Sequence, residues 1–406
     1  MTDFDLENII SNMIEGPPTL FQPDDKDYIS LGISIKLEKS ILVNKNDIYA
    51  LMTFVKKHLT LLHSCLTDNF LYKTISSYLM KIYDDKSEKK DINDLLEILN
   101  NLTYKKTNIY VKIFNLQTDI EEYDFGSFVL YDPQYFIKKN KNLLMYHGIN
   151  DKSSANSDNI IHTGLVFKDI ETFLEDKDLL NYIIQEKIRE FINFISVALG
   201  DKYNAQKLNS NFNHISMEYH LLDDDMHERS SSFSSEGSTF TKGNVILNTN
   251  LFFNNHNRFF KLFSKRDNQL KEKLYKSILW LGKSLQTENI SDSFLQVTIA
   301  LECILARNEK GYFISPGIAY TLSEVLAFLV TDNREARIKI FMELKKLYGL
   351  RSSIVHSGKS NITFQQYNDF FQIVKIGIYS IIDLMEEHKF NNINDVYDYI
   401  DRIKFQ

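Results

Sequence analysis

The chain has 406 residues, 43% of them hydrophobic and 25% charged. This is the balance of a soluble globular protein long enough for two domains with sizeable cores. Its formal net charge of −7 argues against a protein that coats nucleic acid regardless of sequence, while leaving room for a local basic groove. Two cysteines, Cys65 and Cys303, are too few for a disulfide framework or a four-thiolate zinc site, and both fall in apolar periodic segments that predict small core residues. The acidic start, Met1-Thr-Asp-Phe-Asp-Leu-Glu7, has no signal-peptide pattern, and no uncharged apolar run reaches membrane-spanning length, so a cytoplasmic protein without a membrane partner is expected.

Residues 1–27, with Pro17, Pro18 and Pro23, read as an irregular arm. Ile29, Leu31, Ile33, Ile35 and Leu37 then alternate, which predicts a strand over 28–37. Ile48, Leu51, Met52, Val55, Leu59 and Leu62 make 46–62 an amphipathic helix. Helices are expected again at 70–83 and 91–99, either side of a charged break. Strands are expected at 107–114 and 125–131, and a polar loop at 150–159. The stripe Ile183, Ile184, Ile188, Phe191, Ile195 and Leu199 predicts a helix over 179–199. Strands at 214–222 and 239–248 follow, joined by a long polar loop that holds Asp223-Asp-Asp225 and the serine-rich stretch 230–238. Residues 1–249 thus read as a mixed α/β N-terminal domain.

From Leu251 strand signals stop, and helices are predicted at 250–263, 267–286, 291–306, 315–330, 333–357, 363–388 and 393–403, an all-α bundle over 250–406. Ser315-Pro316 predicts an N-cap followed by proline at the first helical position, and Thr363 with Gln366 a capping box. Asp332 with Glu335 predicts another. Behind it Ile338, Phe341, Leu344, Tyr348 and Val355 recur at helical spacing as a stripe on which Arg351 also falls. An arginine there must find a partner or face a cleft. Glu302 is the obvious acid: between Phe294 and Ala306 only Gln296, Thr298 and Glu302 are polar. Between Arg258 and Lys283 eight basic residues face only Asp267 and Glu272, either a solvated helix face or a phosphate-facing rim.

The sharpest constellation is Leu347-Tyr-Gly-Leu-Arg351-Ser-Ser-Ile-Val-His356-Ser-Gly358. On a regular helix His356 lies about 140° round from Arg351, on the side of Lys345, Gly349, Ser352 and Ser353, so one unbroken helix does not aim both at one atom. Histidine exchanges protons at neutral pH, and the arginine fork binds phosphate bidentately. Cleavage of RNA by its own 2′-hydroxyl needs a base, an acid and a cation on the phosphoryl group. Ser352 and Ser353 are candidate phosphate donors, and Lys345, Lys346 and Lys359 candidate extensions of an RNA-binding groove.

Three pieces in order, Ile278-Leu-Trp-Leu-Gly-Lys-Ser-Leu285 with Asp292-Ser-Phe294, Ile299-Ala-Leu-Glu302-Cys-Ile-Leu305, and Leu350-Arg351 through Gly358, make residues 265–390 resemble an Apea-like HEPN domain. The resemblance implies a small helical bundle, usually dimeric, whose Arg-x4-His motif, here Arg351 and His356, cuts RNA without metal or cofactor. It implies Glu302 as an acidic neighbour of Arg351. It further implies an abortive-infection anti-phage effector, with the N-terminal domain sensing a phage-derived or nucleotide trigger. HEPN toxins silenced by a nucleotidyltransferase carry a tyrosine two residues after the histidine; Gly358 stands there instead. The alternative is a non-catalytic HEPN protein that binds nucleotide or RNA, or serves as a scaffold. A weaker rival is a metal hydrolase built on His214, Glu218 and His220, which share one face of an alternating strand. His147 and His162 have no partner pattern, and the chain has no phosphate-cradling glycine loop.

Overall fold

The computed structural model describes residues 9–10, 12–16, 28–33, 40–84, 92–114, 116–118, 121–139, 162–209, 217–222, 228–234, 245–247, 249–264, 266–306, 317–357 and 362–404. Contacts group the chain into two compact units, 1–106 with 171–185, and 107–170 with 186–406. Among the described residues every strand precedes Thr249 and only helices follow it, an α+β region and then an all-α one. No helix among them is long and apolar enough to cross a membrane.

In the first unit β1 (Ile14–Gly16), β2 (Tyr28–Ile33) and β3 (Ser40–Asn44) form an antiparallel sheet with β3 in the middle. β3 runs straight into α1 (Lys45–His58), because the Asn44 side chain accepts the Asn46 N–H and caps the first turn. The helix expected to reach Leu62 stops at His58, where Leu59 turns extended. α2 (Asp68–Asp84) and α3 (Ile92–Asn100) complete the unit, and Ile48, Leu51, Val55, Leu71, Ile75, Leu79, Leu95 and Leu99 bury their apolar faces together. Asp176 is fully buried there, yet its carboxylate accepts the Thr67 N–H at 2.7 Å and hydroxyl at 2.9 Å and the Leu179 N–H at 3.0 Å. Those bonds replace water and start the helix at Lys177. Cys65, expected in a core, is exposed in the short 3-10 turn His63–Cys65, and Cys303 is half-buried.

The second unit holds a six-stranded sheet. It comprises β4 (Tyr104–Phe114), β6 (Glu122–Asp124), β7 (Phe128–Tyr131), β8 (His162–Phe173), β9 (Met217–Leu222) and β10 (Glu228–Ser234), in the order β10-β9-β4-β8-β7-β6. β8 has no period-two signal: Leu165, Val166 and Phe167 are all buried, the run of a strand covered on both faces. β10 corrects a second expectation. The serine-rich stretch begins as a strand, not a loop, with Ser231 opposite His220 and Phe233 opposite Glu218 on the sheet's edge. An edge strand needs its backbone paired on one side only, so serines suffice without an apolar alternation. The strand expected at 239–248 is β11 (Val245–Leu247), and it pairs in parallel with β5 (Leu116–Thr118), not with β9.

The helices are α4 (Pro133–Lys139), α5 (Lys177–Leu199), α6 (Lys202–Asn209), α7 (Thr249–Ser264), α8 (Gln269–Gln286), α9 (Ile290–Leu305), α10 (Ile318–Val330), α11 (Arg334–Ser357), α12 (Phe364–His388) and α13 (Ile393–Lys404). The expected capping box of Thr363 and Gln366 is present at the start of α12. α10 begins at Ile318 with Gly317 before it and no side-chain cap; Ser315 and Pro316 lie outside the described residues. Two glycines set close helix crossings. A Cβ on Gly282 would stand 2.5 Å from the Asn193 carbonyl oxygen, and one on Gly377 would overlap Leu326. Lys202 fastens the α8–α9 hairpin, donating to the Thr287 carbonyl at 2.5 Å and the Ser293 hydroxyl at 2.8 Å while lying over the Tyr367 ring. Burial lowers its pKa to about 8.

Candidate functional site

α11 carries the motif. Its cap is Asn333, not Asp332: the Asn333 side chain accepts the Ala336 N–H at 2.9 Å, while Asp332 pairs with Arg337 at 3.2 Å. The helix then runs unbroken through both Arg351 and His356 to Ser357. The expected buried stripe is interrupted. Leu344 and Leu347 are buried, but Ile338 is 56% exposed and Val355 55% exposed, and Met342 beside the stripe is 61% exposed.

Glu302 on α9 meets this helix from the side. Its Oε1 lies 3.5 Å from Arg351 Nε and accepts a hydrogen bond from the Tyr348 hydroxyl at 2.6 Å. Neither charge is fully buried, the side chains being 40% exposed for Arg351 and 28% for Glu302. Burial, and then the bond to Glu302, pushes the Tyr348 phenol well above its usual range, so it stays a donor through neutral pH. The pair engages the guanidinium through Nε, while the side chain remains open to solvent.

Ser352, Ser353, Lys345, Lys346 and His356 are exposed. Arg351 and His356 are separated by about 7.5 Å along the axis and about 140° around it, from the rise and turn of a regular helix. A single copy therefore shows the two motif side chains on different sides of one rod. Lys359 and Gly358 lie outside the described residues.

The basic run at 258–283 is largely occupied by structure. Arg258 pairs with Asp383 at 2.8 Å and Glu386 at 2.9 Å, and Lys271 with Asp267 at 2.6 Å. Arg266 stacks on Tyr275. Lys273 donates to the carbonyl oxygens of Cys303 and Ala306 at the end of α9. Of the possible metal set, His214 and Asp223 to Asp225 lie outside the described residues, and Glu218 and His220 sit on β9. Among the described residues no three His, Cys, Asp or Glu side chains gather as a metal site.

Tyr348 is the residue that pattern reading passes over. It fits the apolar stripe, and only its place one turn before Arg351, toward the same acid, marks it as polar machinery. Comparison of the chain with protein-family models, with curated proteins and with solved structures finds no match.

Proposed function

We propose that the helical region is a HEPN-type bundle and that the protein is a metal-independent endoribonuclease. The observation that carries this reading is the Arg351 fork: Glu302 takes its Nε side, and the side chain is still 40% exposed beside Ser352 and Ser353. A planar fork so held suits a phosphate, with the serines as neighbouring donors. In the reaction the 2′-oxygen of RNA bonds to the adjacent phosphorus and the bond to the 5′-oxygen breaks. His356 serves as the proton carrier: one imidazole takes the 2′-hydroxyl proton, and one imidazolium protonates the leaving oxygen. Arg351 stabilises the charge on the phosphoryl oxygens. Single-stranded or looped RNA is the substrate class, because its unstacked bases are accessible.

The 140° separation leaves one copy without a shared site, and the HEPN resemblance implies the remedy: a homodimer with two α11 helices facing across a two-fold axis, each motif completed by its mate. Exposed Met342 on the His356 side of α11 supports such a contact. A nuclease of this kind in a cytoplasm needs restraint; control of an abortive anti-phage response by residues 1–249, through a phage-derived or nucleotide trigger, is the matching biological role. The test is incubation of the full chain with several RNAs, with and without chelator, beside His356→Ala and Arg351→Ala. Cleavage that survives chelator and falls on the order of 10²–10⁴-fold in each variant is expected. Cleavage lost with chelator, or equal in parent and His356→Ala, sinks the reading. No cleavage of any RNA leaves the Glu302–Arg351 pair a structural device in a binding or scaffold protein.

A further inference from the structure

The turn between α1 and α2 holds two leucines away from the core. Leu61 is 93% exposed and Leu62 47%, while Leu59, His63 and Leu66 around them are buried. The turn is locked, not frayed. His63 Nε2 lies 3.0 Å from the Leu102 carbonyl oxygen and its Nδ1 2.5 Å from the Thr60 hydroxyl, and the Thr60 N–H donates to the Asn100 side chain at 3.2 Å. Four successive carbonyls at the tip are satisfied from within it. Thr60 accepts the Ser64 N–H at 3.0 Å, Leu61 the Ser64 hydroxyl at 2.6 Å, Leu62 the Cys65 thiol at 3.0 Å and His63 the Leu66 N–H at 3.2 Å. Cations flank the turn. Lys57 lies in the last turn of α1, and Lys105 follows closely on the Leu102 carbonyl that holds His63; both are exposed and, among the described residues, make no ion pair. Asp68 and Glu171 do not offset them, being paired with Lys56 and Lys106.

We propose that this turn is a peripheral anchor for an anionic lipid surface: Leu61 and Leu62 enter the apolar edge of the bilayer while Lys57 and Lys105 meet its headgroups. An exposed leucine by itself signals little. What singles out this pair is the backbone that carries it. A carbonyl taken out of water must bring its donor along, and the four carbonyls here do so. The leucine side chains then gain by leaving water. Lysine stems lie along an apolar boundary with their ammonium groups among the headgroups, and a negative lipid surface draws such cations. A protein cleft would accept two leucines as well, but it supplies donors of its own, so the internally bonded tip favours lipid. The contact is peripheral, since no described helix is long and apolar enough to cross a membrane, and with two inserted side chains it is weak and reversible. It stands without the ribonuclease reading.

The experiment is co-sedimentation of the full-length protein with vesicles of phosphatidylcholine alone, or with about 30% phosphatidylserine, at about 1 mM lipid. Binding to the phosphatidylserine vesicles is expected, falling in about 0.5 M salt. Leu61→Glu should weaken it about tenfold or more, because a charge replaces an inserted side chain. Lys57→Gln combined with Lys105→Gln should weaken it by a similar factor and remove its salt dependence. Leu61 and both lysines are exposed, so thermal melts of these variants should match the parent. Leu61→Trp reads insertion directly: its emission should move to the blue when vesicles are added, against a constant background from Trp280. Three results overturn the proposal: no sedimentation with any vesicle, equal sedimentation with and without phosphatidylserine, or Leu61→Glu binding as the parent does. So does a Leu61→Trp protein that sediments without a blue shift, which would place the contact elsewhere. RNA cleavage without lipid is read separately. Lipid binding in a protein that cuts no RNA overturns only the ribonuclease reading, and cleavage by a protein that binds no lipid overturns only this one.

Discussion

Tyr348 and Arg351, one turn apart on α11, converge on a single oxygen of Glu302. The tyrosine holds the acid at 2.6 Å by a neutral donor, so the acid's position does not depend on the looser 3.5 Å ion pair. Tyr348→Phe should therefore cost little stability, about 0.5–1.5 kcal/mol, and much more activity. A guanidinium displaced by about 1 Å costs on the order of 10²-fold in rate. Single-turnover cleavage beside a thermal melt checks this; equal rates in the two proteins would remove Tyr348 from the site.

Glu302→Ala tests the same cluster from the other side. A fully buried ion pair broken in this way costs about 3–5 kcal/mol. Here both partners retain solvent, so screening reduces the expected loss to about 1–2 kcal/mol. Chemical denaturation reads it. A loss above about 4 kcal/mol would show that Arg351 is far more enclosed than its 40% exposure implies.

The composite-site reading predicts the behaviour of mixed dimers. A His356→Ala subunit paired with a parental one, purified through two different tags, should lose nearly all cleavage if the two histidines divide base and acid. Retention of half or more of the parental rate means each subunit is complete. A protein that stays monomeric at micromolar concentration and still cuts RNA removes the dimer from the mechanism.

Two glycines predict opposite effects of one substitution. Gly282→Ala places a methyl 2.5 Å from the Asn193 carbonyl oxygen and 2.6 Å from its Cα, so backbone must move, at about 1–3 kcal/mol. An alanine at Gly349 meets nothing within 4 Å and should stabilise α11 by about 0.5–1 kcal/mol. Melting temperatures of the two variants should shift in opposite directions.

His256 predicts an acid limb. Burial, with the nearby Lys375 charge, lowers its pKa from 6.5 to about 4, and its Nδ1 is 2.8 Å from the Tyr379 hydroxyl. Between those pH values the unfolded chain binds the proton and the folded chain does not. The stability this group contributes is thus full above pH 6.5 and falls as pH drops toward 4. His256→Gln should flatten that part of the stability profile. An unchanged slope between pH 6.5 and 4 places the acid sensitivity elsewhere.

α12 was legible because it carries both a 3.6-residue apolar stripe and a terminal signal, the capping box of Thr363 and Gln366. Where one signal served two neighbours, pattern failed: Asp332 and Asn333 are both good caps, and only the competing Arg337 decides for Asn333. β8 and β10 were hidden for opposite reasons, one too apolar to alternate and the other too polar. The Glu302–Arg351 meeting was foreseeable from a lone acid on an apolar helix and an arginine in line with an apolar stripe. Tyr348 was not, since a tyrosine on a stripe reads the same whether its hydroxyl is bonded or idle.

α11 has its two fully buried side chains, Leu344 and Leu347, near its middle. The segment from Arg334 to Phe341 lies on one side of them and Arg351 on the other. Packing is thus deepest at the centre of the rod, and lighter contacts hold the two arms. With arms of about 10 Å, from six or seven residues at 1.5 Å each, a tilt of about 6° moves either end by about 1 Å. A tilt of that kind would work against the Arg337 contacts at one end and the Tyr348–Glu302 bond at the other, so those two anchors set how far Arg351 can travel.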